Sequence, residues 1–233
     1  GEDQVVHLAA EVGVGQSQYE IARYVSANDL GTAVLLEAAI DTPVERIVVA
    51  SSMSVYGEGL YSDAQGELIA DVRRDWKTTG PSRWNPVARD GGPLDPVATP
   101  EWKPVDLASI YALTKHVQER AVLLFGEAYG RQTVALRLFN VYGPGQALSN
   151  PYTGVLAIFA ARIANGEPPL VFEDGNQRRD MVHVRDVARA FRLALEAPKA
   201  AGLTFNIGSG TSISIAELAR TLIASMGADL QPE

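Results

Sequence analysis

The 233-residue sequence contains no cysteine. It therefore has no disulfide bond, no thiolate metal ligand and no cysteine nucleophile, so we expect no metal site. No apolar run approaches the ~18 residues that a membrane-spanning helix needs. The opening residues Gly1, Glu2 and Asp3 are acidic, unlike the basic start of a secretory signal peptide. These absences predict a cytoplasmic protein that has no membrane partner.

Positive charge is also scarce in this sequence. Lysine and arginine total 20 against 28 aspartates and glutamates, which gives a net charge of −8 at pH 7. That balance argues against a nucleic-acid-binding surface, although local arginines could still bind a small anion. A hydrophobic content of 46% and a charged content of 21% are typical of a globular protein.

Three short apolar runs, residues 4–10, 46–50 and 133–139, have the composition of buried parallel strands. Helical periodicity predicts long helices over residues 19–39 and 111–129, the second ending at Gly130. Their predicted apolar stripes are Val25, Leu30, Val34, Leu35 and Ala38 in the first helix, and Leu113, Val117, Ala121, Val122 and Leu124 in the second. Strands that alternate with helices predict an α/β fold with a parallel sheet.

The carboxyl-terminal part alternates in the same way but with shorter elements. Patterning predicts helices over residues 154–165, 186–195 and 214–226, and short strands over residues 170–172 and 205–208. Residues 58–106 are rich in proline, glycine and charge, so we expect an insertion or a functional lid. This segment holds all three tryptophans, Trp76, Trp84 and Trp102, and they predict that part of it packs onto the body.

Tyr111 and Lys115 are four residues apart, which places them on one face of the predicted helix, one turn apart. A lysine held there would lower the pKa of the phenol from its usual value near ~10, and its ammonium could also bind a ligand hydroxyl. A tyrosine tuned in this way can remove a proton from an alcohol. Taken alone the spacing is a weak signal, because an ordinary surface pair would look the same.

The order of motifs along the chain is more specific than any single one. An Ala-Ala strand end is followed by a helix that contains Asn28, by a strand that ends in Ser51 and Ser52 before Val-Tyr-Gly, by Tyr-x-x-x-Lys, and by a strand that ends in Phe-Asn-Val-Tyr-Gly-Pro. This order resembles the extended short-chain dehydrogenase/reductase superfamily, in particular its nucleotide-sugar epimerases and dehydratases. The resemblance covers nearly the whole chain except residues 58–106.

The resemblance implies an α/β fold, namely a Rossmann-type doubly wound parallel sheet whose N-terminal part is missing, with a smaller C-terminal substrate lobe. Residues 1–143 would form a partial NAD-binding domain interrupted by the insertion 58–106. Residues 144–233 would be mainly substrate-binding, with segments that return to the sheet. The family's glycine-rich phosphate loop would lie upstream of Gly1. We also expect a homodimer, because such proteins pair through the helices of Asn28 and Tyr111.

Residue roles follow from the same resemblance, position by position. It implies that Tyr111 is the catalytic base, that Lys115 tunes it and holds the nicotinamide ribose, and that Ser52 binds the reacting sugar oxygen. The implied NAD-binding residues are Leu8, Ala9, Ala10, Asn28, Ser51, Tyr111, Lys115 and Phe139. The implied residues for the nucleotide-diphosphate sugar are Ser52, Asn140, Leu170, Phe172 and Arg179.

The implied reaction is narrowed by two positions after Ser52. Dehydratases and decarboxylases of this kind carry acidic residues there, whereas this sequence has Met53 and Ser54. The resemblance therefore favours a 4-epimerase that uses NAD through a 4-keto sugar, most similar to dTDP-L-rhamnose and UDP-glucose 4-epimerases. A 4-keto sugar reductase and a non-catalytic dinucleotide-binding protein remain as alternatives.

Overall fold

The computed structural model describes residues 4–74, 84–146 and 154–233. Trp76 of the predicted insertion lies outside the described residues, and so do residues 147–153. The chain divides into two compact units. The first comprises Gly1–Gly57, Val105–Phe139 and Val184–Ile207, and the second comprises Glu58–Pro104, Asn140–His183 and Gly208–Glu233.

The described strands and helices are short apart from α4. The strands are β1 Gln4–His7, β2 Arg46–Ser52, β3 Leu60–Ser62, β4 Leu68–Ile69, β5 Asp95–Val97, β6 Gln132–Leu138, β7 Asn140–Tyr142, β8 Arg178–His183, β9 Thr204–Ile207 and β10 Ser212–Ser214. The α-helices are α1 Val14–Ser17, α2 Ile21–Tyr24, α3 Gly31–Asp41, α4 Ile110–Tyr129, α5 Val155–Ala164, α6 Val184–Glu196 and α7 Ile215–Ser225. No helix of the described residues is both long and apolar enough to cross a membrane.

The first unit is built on a parallel sheet with the strand order β1-β2-β6-β9. Side chains of β2 alternate between its two faces. Ile47 and Val49 pack with α3 and α4 residues in one hydrophobic cluster. Arg46 points to the opposite face, where it donates hydrogen bonds to the Ala194 and Leu195 carbonyls of α6 at 2.7 and 2.8 Å. Helices thus cover both faces, which confirms the predicted doubly wound α/β fold.

The predicted helix over residues 19–39 is continuous in the structure but is not α-helical throughout. A π-helical segment, Val25–Leu30, joins α2 to α3. The predicted apolar stripe is wrong, because Val25, Leu30 and Val34 are exposed. The buried face instead carries Tyr24, Asn28, Thr32, Leu36 and Ala39. Its polar members form hydrogen bonds beneath the helix, so a search for apolar periodicity alone selects the wrong face.

Helix α4 begins and ends as the sequence predicts. The Ser109 hydroxyl accepts a hydrogen bond from the Ala112 amide at 3.0 Å, and Gly130 ends the helix in the left-handed region. A β-carbon at Gly126 would overlap the Thr133 side chain, so glycine lets α4 approach β6 closely. The predicted stripe is again largely wrong, since Val122 is buried but Leu113 and Leu124 are exposed.

The second unit contains two three-stranded sheets, β10-β8-β7 and β4-β3-β5. The β3–β5 sheet belongs to the predicted insertion, whose small hydrophobic core is formed by Tyr61, Val72 and Leu94. Trp102 is 63% exposed, so the prediction that the tryptophans anchor this segment is wrong for it. Trp84 is partly buried.

The predicted strand over residues 170–172 is also wrong. Residues Leu170 and Phe172 are 37% and 76% exposed, and neither belongs to a strand. The Val171 amide instead donates to the Glu233 carbonyl at 2.7 Å, and the Glu233 amide donates to the Pro169 carbonyl at 3.0 Å. Pairing with a single residue near the end of the sequence satisfies these backbone groups without a ladder.

Candidate active site

The candidate catalytic serine lies at the carboxyl end of β2. Ser52 is aligned with Leu138 of β6, and it caps the one-turn 3₁₀ helix Met53–Tyr56 through a hydrogen bond from the Ser54 amide at 3.2 Å. The Ser54 hydroxyl also donates to the Ser52 oxygen at 2.9 Å. Because Ser52 accepts both bonds, its own hydroxyl proton is directed elsewhere.

Tyr111 meets this serine from the first turn of α4. The Tyr111 amide donates to the Ser17 hydroxyl at 3.0 Å, and the Tyr111 ring contacts the edge of Tyr24 at a centroid distance of 6.4 Å. Burial raises the pKa of the Tyr111 phenol, and a hydrogen bond with Ser52 opposes that rise. The sequence predicted a lower pKa caused by Lys115, which the structure does not show.

Lys115 does not lower the pKa of Tyr111 because its ammonium is bound elsewhere. The side chain is only 4% exposed, and its Nζ donates to the Gln118 Oε1 atom at 2.7 Å. Burial lowers the pKa of Lys115 to about 8. The helical spacing therefore places the tyrosine and the lysine on one face as predicted, but the ammonium is bound to an amide oxygen one turn further along α4.

Asn28 fixes the segment that follows β1, where Leu8, Ala9 and Ala10 lie. Its Oδ1 accepts from the Glu11 amide at 2.7 Å and its Nδ2 donates to the Glu11 carbonyl at 3.1 Å. Nδ2 also donates to the Thr114 hydroxyl of α4 at 2.9 Å. A fully buried side chain thus joins the end of β1 to the helix of Tyr111.

The segment after β1 is exposed, whereas the end of the neighbouring strand β2 is buried. Leu8 is 59% exposed and Ala9 is exposed as well, but Ser51 and Ser52 are buried. Small residues at such a strand end let a ligand approach the backbone. The assignment of Leu8, Ala9 and Ala10, with Lys115 and Ser51, to a dinucleotide site stays a prediction.

A buried ion pair lies one turn beyond Lys115. The Glu119 carboxylate accepts two hydrogen bonds from Arg137 of β6, at 2.6 and 2.9 Å, and a third from the Ser51 hydroxyl at 2.6 Å. Arg137 donates to the Tyr56 hydroxyl at 2.6 Å, which in turn donates to Asn206 at 2.8 Å. Burial acts to lower the pKa of Arg137, but the Glu119 carboxylate outweighs it and the pKa is raised.

The residues predicted to hold a sugar diphosphate lie in the second unit. Asn140 donates to the Asp180 carbonyl at 2.9 Å, which places it beside Arg179 on β8. The Asp180 carboxylate is bound to the amides of Ser209 and Gly210 at 2.7 and 2.9 Å. Arg179 donates to the Arg178 carbonyl at 2.8 Å and is thus not paired with Asp180.

A second guanidinium lies near Arg179. Arg74 forms ion pairs with Glu58 at 3.2 Å and with Glu173 at 2.9 Å. Burial lowers the pKa of Arg179, and the charge of Arg74 lowers it further. The Glu58 and Glu173 carboxylates partly offset these two positive charges, so an anion that binds both guanidiniums would have to compete with them.

The site contains polar residues that the motif search did not single out, namely His7, Gln118, Glu119 and Arg137. A signal existed for the last two. Glu119 follows Lys115 at the helical spacing of four, and Arg137 is a charge inside an apolar strand. Phe139 is half-buried at the end of β6, where its amide donates to the Ile207 carbonyl at 3.0 Å.

Comparison with known proteins shows the family to which the chain belongs. Residues 1–74 and 90–208 match the NAD dependent epimerase/dehydratase family. The dTDP-L-rhamnose 4-epimerase of Burkholderia thailandensis is 36% identical over 226 residues, which cover 96% of this chain and 61% of that relative. The chain therefore belongs to the NAD dependent epimerase/dehydratase family, which confirms the resemblance seen in the sequence.

Solved structures give the same result. The UDP-glucose 4-epimerase of Thermotoga maritima, crystallised with UDP-glucose, has a TM-score of 0.79 at 32% identity and covers 99% of this chain and 63% of its own. The UDP-glucose 4-epimerase of Thermus thermophilus in complex with NAD has a TM-score of 0.75 at 28% identity, over 100% of this chain and 64% of its own. The chain thus spans about three fifths of the length of the relatives it matches.

Proposed function

We propose that the protein is a nucleotide-sugar 4-epimerase that uses tightly bound NAD. The observation that carries this proposal is the position of Tyr111 in the first turn of α4 beside Ser52 at the end of β2, where Ser52 opposes the rise in the pKa of the phenol. A hydroxyl that bonds a phenol can also bond the alcohol that the phenol deprotonates, since both oxygens approach the same point. Met53 and Ser54 supply no carboxylate beside it, which favours epimerisation over dehydration.

The chain's own residues then have distinct roles. Tyr111 takes the proton of the sugar's 4-hydroxyl, and Ser52 donates a hydrogen bond to the same oxygen as negative charge develops there. The Lys115 ammonium stabilises the phenolate and binds the ribose of the cofactor. NAD, when bound, supplies a reversible hydride acceptor. Leu8, Ala9, Ala10 and Phe139 would contact it at the strand ends. The buried Asn28 and Ser51 would support these ends from behind, through their bonds to Glu11 and Glu119.

For the substrate we propose a nucleoside-diphosphate hexose. Asn140 and Arg179 would bind the diphosphate, because a guanidinium fork matches phosphate oxygens, and Arg74 adds a second positive charge nearby. The exposed ring of Phe172 would stack on the base, with Leu170 beside it.

We further infer a cytoplasmic homodimer. Exposed apolar side chains on two neighbouring helices support the dimer, namely Val25, Leu30, Val34, Leu113, Val117 and Leu124.

The test uses the complete gene product with dTDP-L-rhamnose, UDP-glucose and UDP-galactose in deuterated water. A 4-epimerised product without solvent deuterium at C4 is expected, whereas deuterium at C5 would indicate enolisation and contradict the mechanism. Tyr111→Phe should remove nearly all turnover and leave NAD bound. Ser52→Ala should lose about 10²–10³ in rate, the usual effect of one lost donor to a developing charge.

The second candidate is a 4-keto sugar reductase, which needs the same serine, tyrosine and lysine. The two functions differ in their demand for cofactor. An epimerase restores its cofactor in each turnover and should be purified with NAD bound, whereas a reductase should exchange NADPH readily and consume it. Release of stoichiometric NAD from the denatured, freshly purified protein therefore favours the epimerase.

A further inference from the structure

The buried amide of Gln118 has an orientation that its neighbours determine. Its Nε2 lies 3.2 Å from the Ala9 carbonyl oxygen and 2.9 Å from the Thr32 hydroxyl oxygen. The Ala9 carbonyl can only accept. The Thr32 hydroxyl donates its own proton to the Asn28 carbonyl at 2.6 Å, so it must accept from Gln118. Both contacts require nitrogen on that side of the amide.

This orientation leaves the amide oxygen of Gln118 facing Lys115. The distance from Nζ to Oε1 is 2.7 Å, and Gln118 is only 1% exposed, so water does not readily replace it. His7 lies beside this arrangement. Its Nε2 is 2.8 Å from the Thr32 hydroxyl, to which it must donate because the Thr32 proton is bound to the Asn28 carbonyl, so its 3.2 Å contact with the Gln118 Nε2 atom is not a hydrogen bond. A buried amide on α4 thus joins the ammonium to the end of β1 and to α3.

The partner of the ammonium is therefore a neutral dipole and not a carboxylate. We propose that Gln118 is a positioning residue that holds the Lys115 ammonium through a neutral dipole, so that no carboxylate cancels its charge and the charge can act on the phenolate that forms at Tyr111 in the proposed reaction. This inference rests on the proposed function for the role of Tyr111, but the contact between Gln118 and Lys115 stands without it.

The other groups around Lys115 define what a change at residue 118 would do. His7 of β1 is a titratable group that feels the Lys115 charge, since its pKa is lowered by burial and then by that charge. The nearest acidic group along α4 is the Glu119 carboxylate, which is already bound by Arg137 of β6. The side chain at position 118 therefore determines whether the Lys115 ammonium is hydrogen-bonded to a neutral amide or to a carboxylate.

Two nearly isosteric variants separate positioning from packing. Gln118→Glu places a carboxylate on the ammonium, which should raise the pKa of Lys115 and cancel its effect on Tyr111. Gln118→Met removes the acceptor and keeps the volume, which should lower the pKa of Lys115 below the parent value. Gln65→Glu, on an exposed turn of the second unit, is the matched control and should change neither group.

The first measurement is the titration of Lys115 in the complete, nucleotide-free gene product. Lysine labelled with ¹³C at Cε gives the signal, and its loss in Lys115→Met assigns it. Changes in the Lys115 pKa of opposite sign in the Glu and Met variants are expected. Equal changes, or no change, in the Lys115 pKa would overturn the proposal. If Gln118→Met fails to fold, Gln118→Asn, which is one methylene shorter, takes its place.

The second measurement is the pH profile of epimerisation. In Gln118→Glu the limb controlled by Tyr111 should move to higher pH, with about tenfold loss of rate at neutral pH for every pH unit that the limb moves and recovery in alkali. A loss that no pH restores would indicate a purely structural role and overturn the proposal. An inactive parent protein would refute the proposed function, yet the Lys115 titration would still test the contact.

Discussion

The buried ammonium of Lys115 should cost the fold stability that a neutral side chain would recover. Burial lowers the pKa of this lysine from 10.5 to about 8, and a pKa change of one corresponds to about 1.4 kcal/mol. Keeping the charge inside the folded protein therefore costs about 3 kcal/mol. Lys115→Met removes that cost, retains the apolar stem and leaves the Gln118 oxygen without its donor, an opposing loss of about 1 kcal/mol.

We therefore expect Lys115→Met to raise the free energy of unfolding by about 2 kcal/mol at neutral pH while it abolishes turnover. The sign of the pH dependence follows from the lowered pKa. Below pH 8 both folded and unfolded chains carry the proton, so the cost of the buried charge is fully present. Between pH 8 and 10.5 only the unfolded chain carries it, so the parent protein gains stability as the pH rises. The difference in the free energy of unfolding between Lys115→Met and the parent protein should therefore decrease between pH 8 and 10.5.

The assay is urea unfolding of the nucleotide-free complete gene product, followed by circular dichroism at several pH values from about 7 to 10.5. Lys199→Met is the control, because Lys199 is exposed and its replacement should change stability by less than about 0.5 kcal/mol at every pH. A variant that is less stable than the parent at neutral pH, or a difference that does not change with pH, would refute the reasoning.

Three further predictions concern the same unit. Arg137→Met leaves a buried carboxylate without its partner and should lower the free energy of unfolding by about 3–5 kcal/mol in urea titration, whereas the exposed Arg192→Met should not; equal effects would contradict this. Gly126→Ala should lower it by about 1–3 kcal/mol, because the new methyl group overlaps the Thr133 hydroxyl, and an unchanged melting temperature would show that α4 can move. Val117→Asp places a charge on the exposed apolar face of α4 and should convert the proposed dimer to a monomer in light scattering; a parent protein that is already monomeric would rule out the dimer.

The sequence was sufficient for the elements whose signals are local. The end of α4 was predicted from Gly130, although the Ser109 cap at its start was not identified, and the pairing of Ser52 with Tyr111 was expected from the resemblance to the family. The partner of Lys115 could not be predicted in this way. Lys115 is hydrogen-bonded to Gln118 and not to the Tyr111 phenol because Ala9 and Thr32, which lie far away in sequence, orient the Gln118 amide.

The buried faces of the helices failed for a related reason. A hydrophobic pattern assumes that the inward face is apolar, but Asn28 and Thr32 occupy that face. The Asn28 side chain bonds Glu11 and Thr114, and the Thr32 hydroxyl bonds the Asn28 carbonyl and Gln118. The exposed apolar residues Val34 and Leu113 then mimic an inward stripe.

The bond from Arg46 to the end of α6 has a consequence for the order of folding. The two partners are 148 residues apart in sequence, and α6 covers one face of a sheet whose strands β1, β2 and β6 are all synthesised before it. Within the residues that the structure describes, α6 packs on the face of β2 and β6 that carries Val48, Val134 and Leu136. Closing a contact over such a distance in sequence is slow, so a folding intermediate in which α6 is undocked would expose these side chains to chaperones.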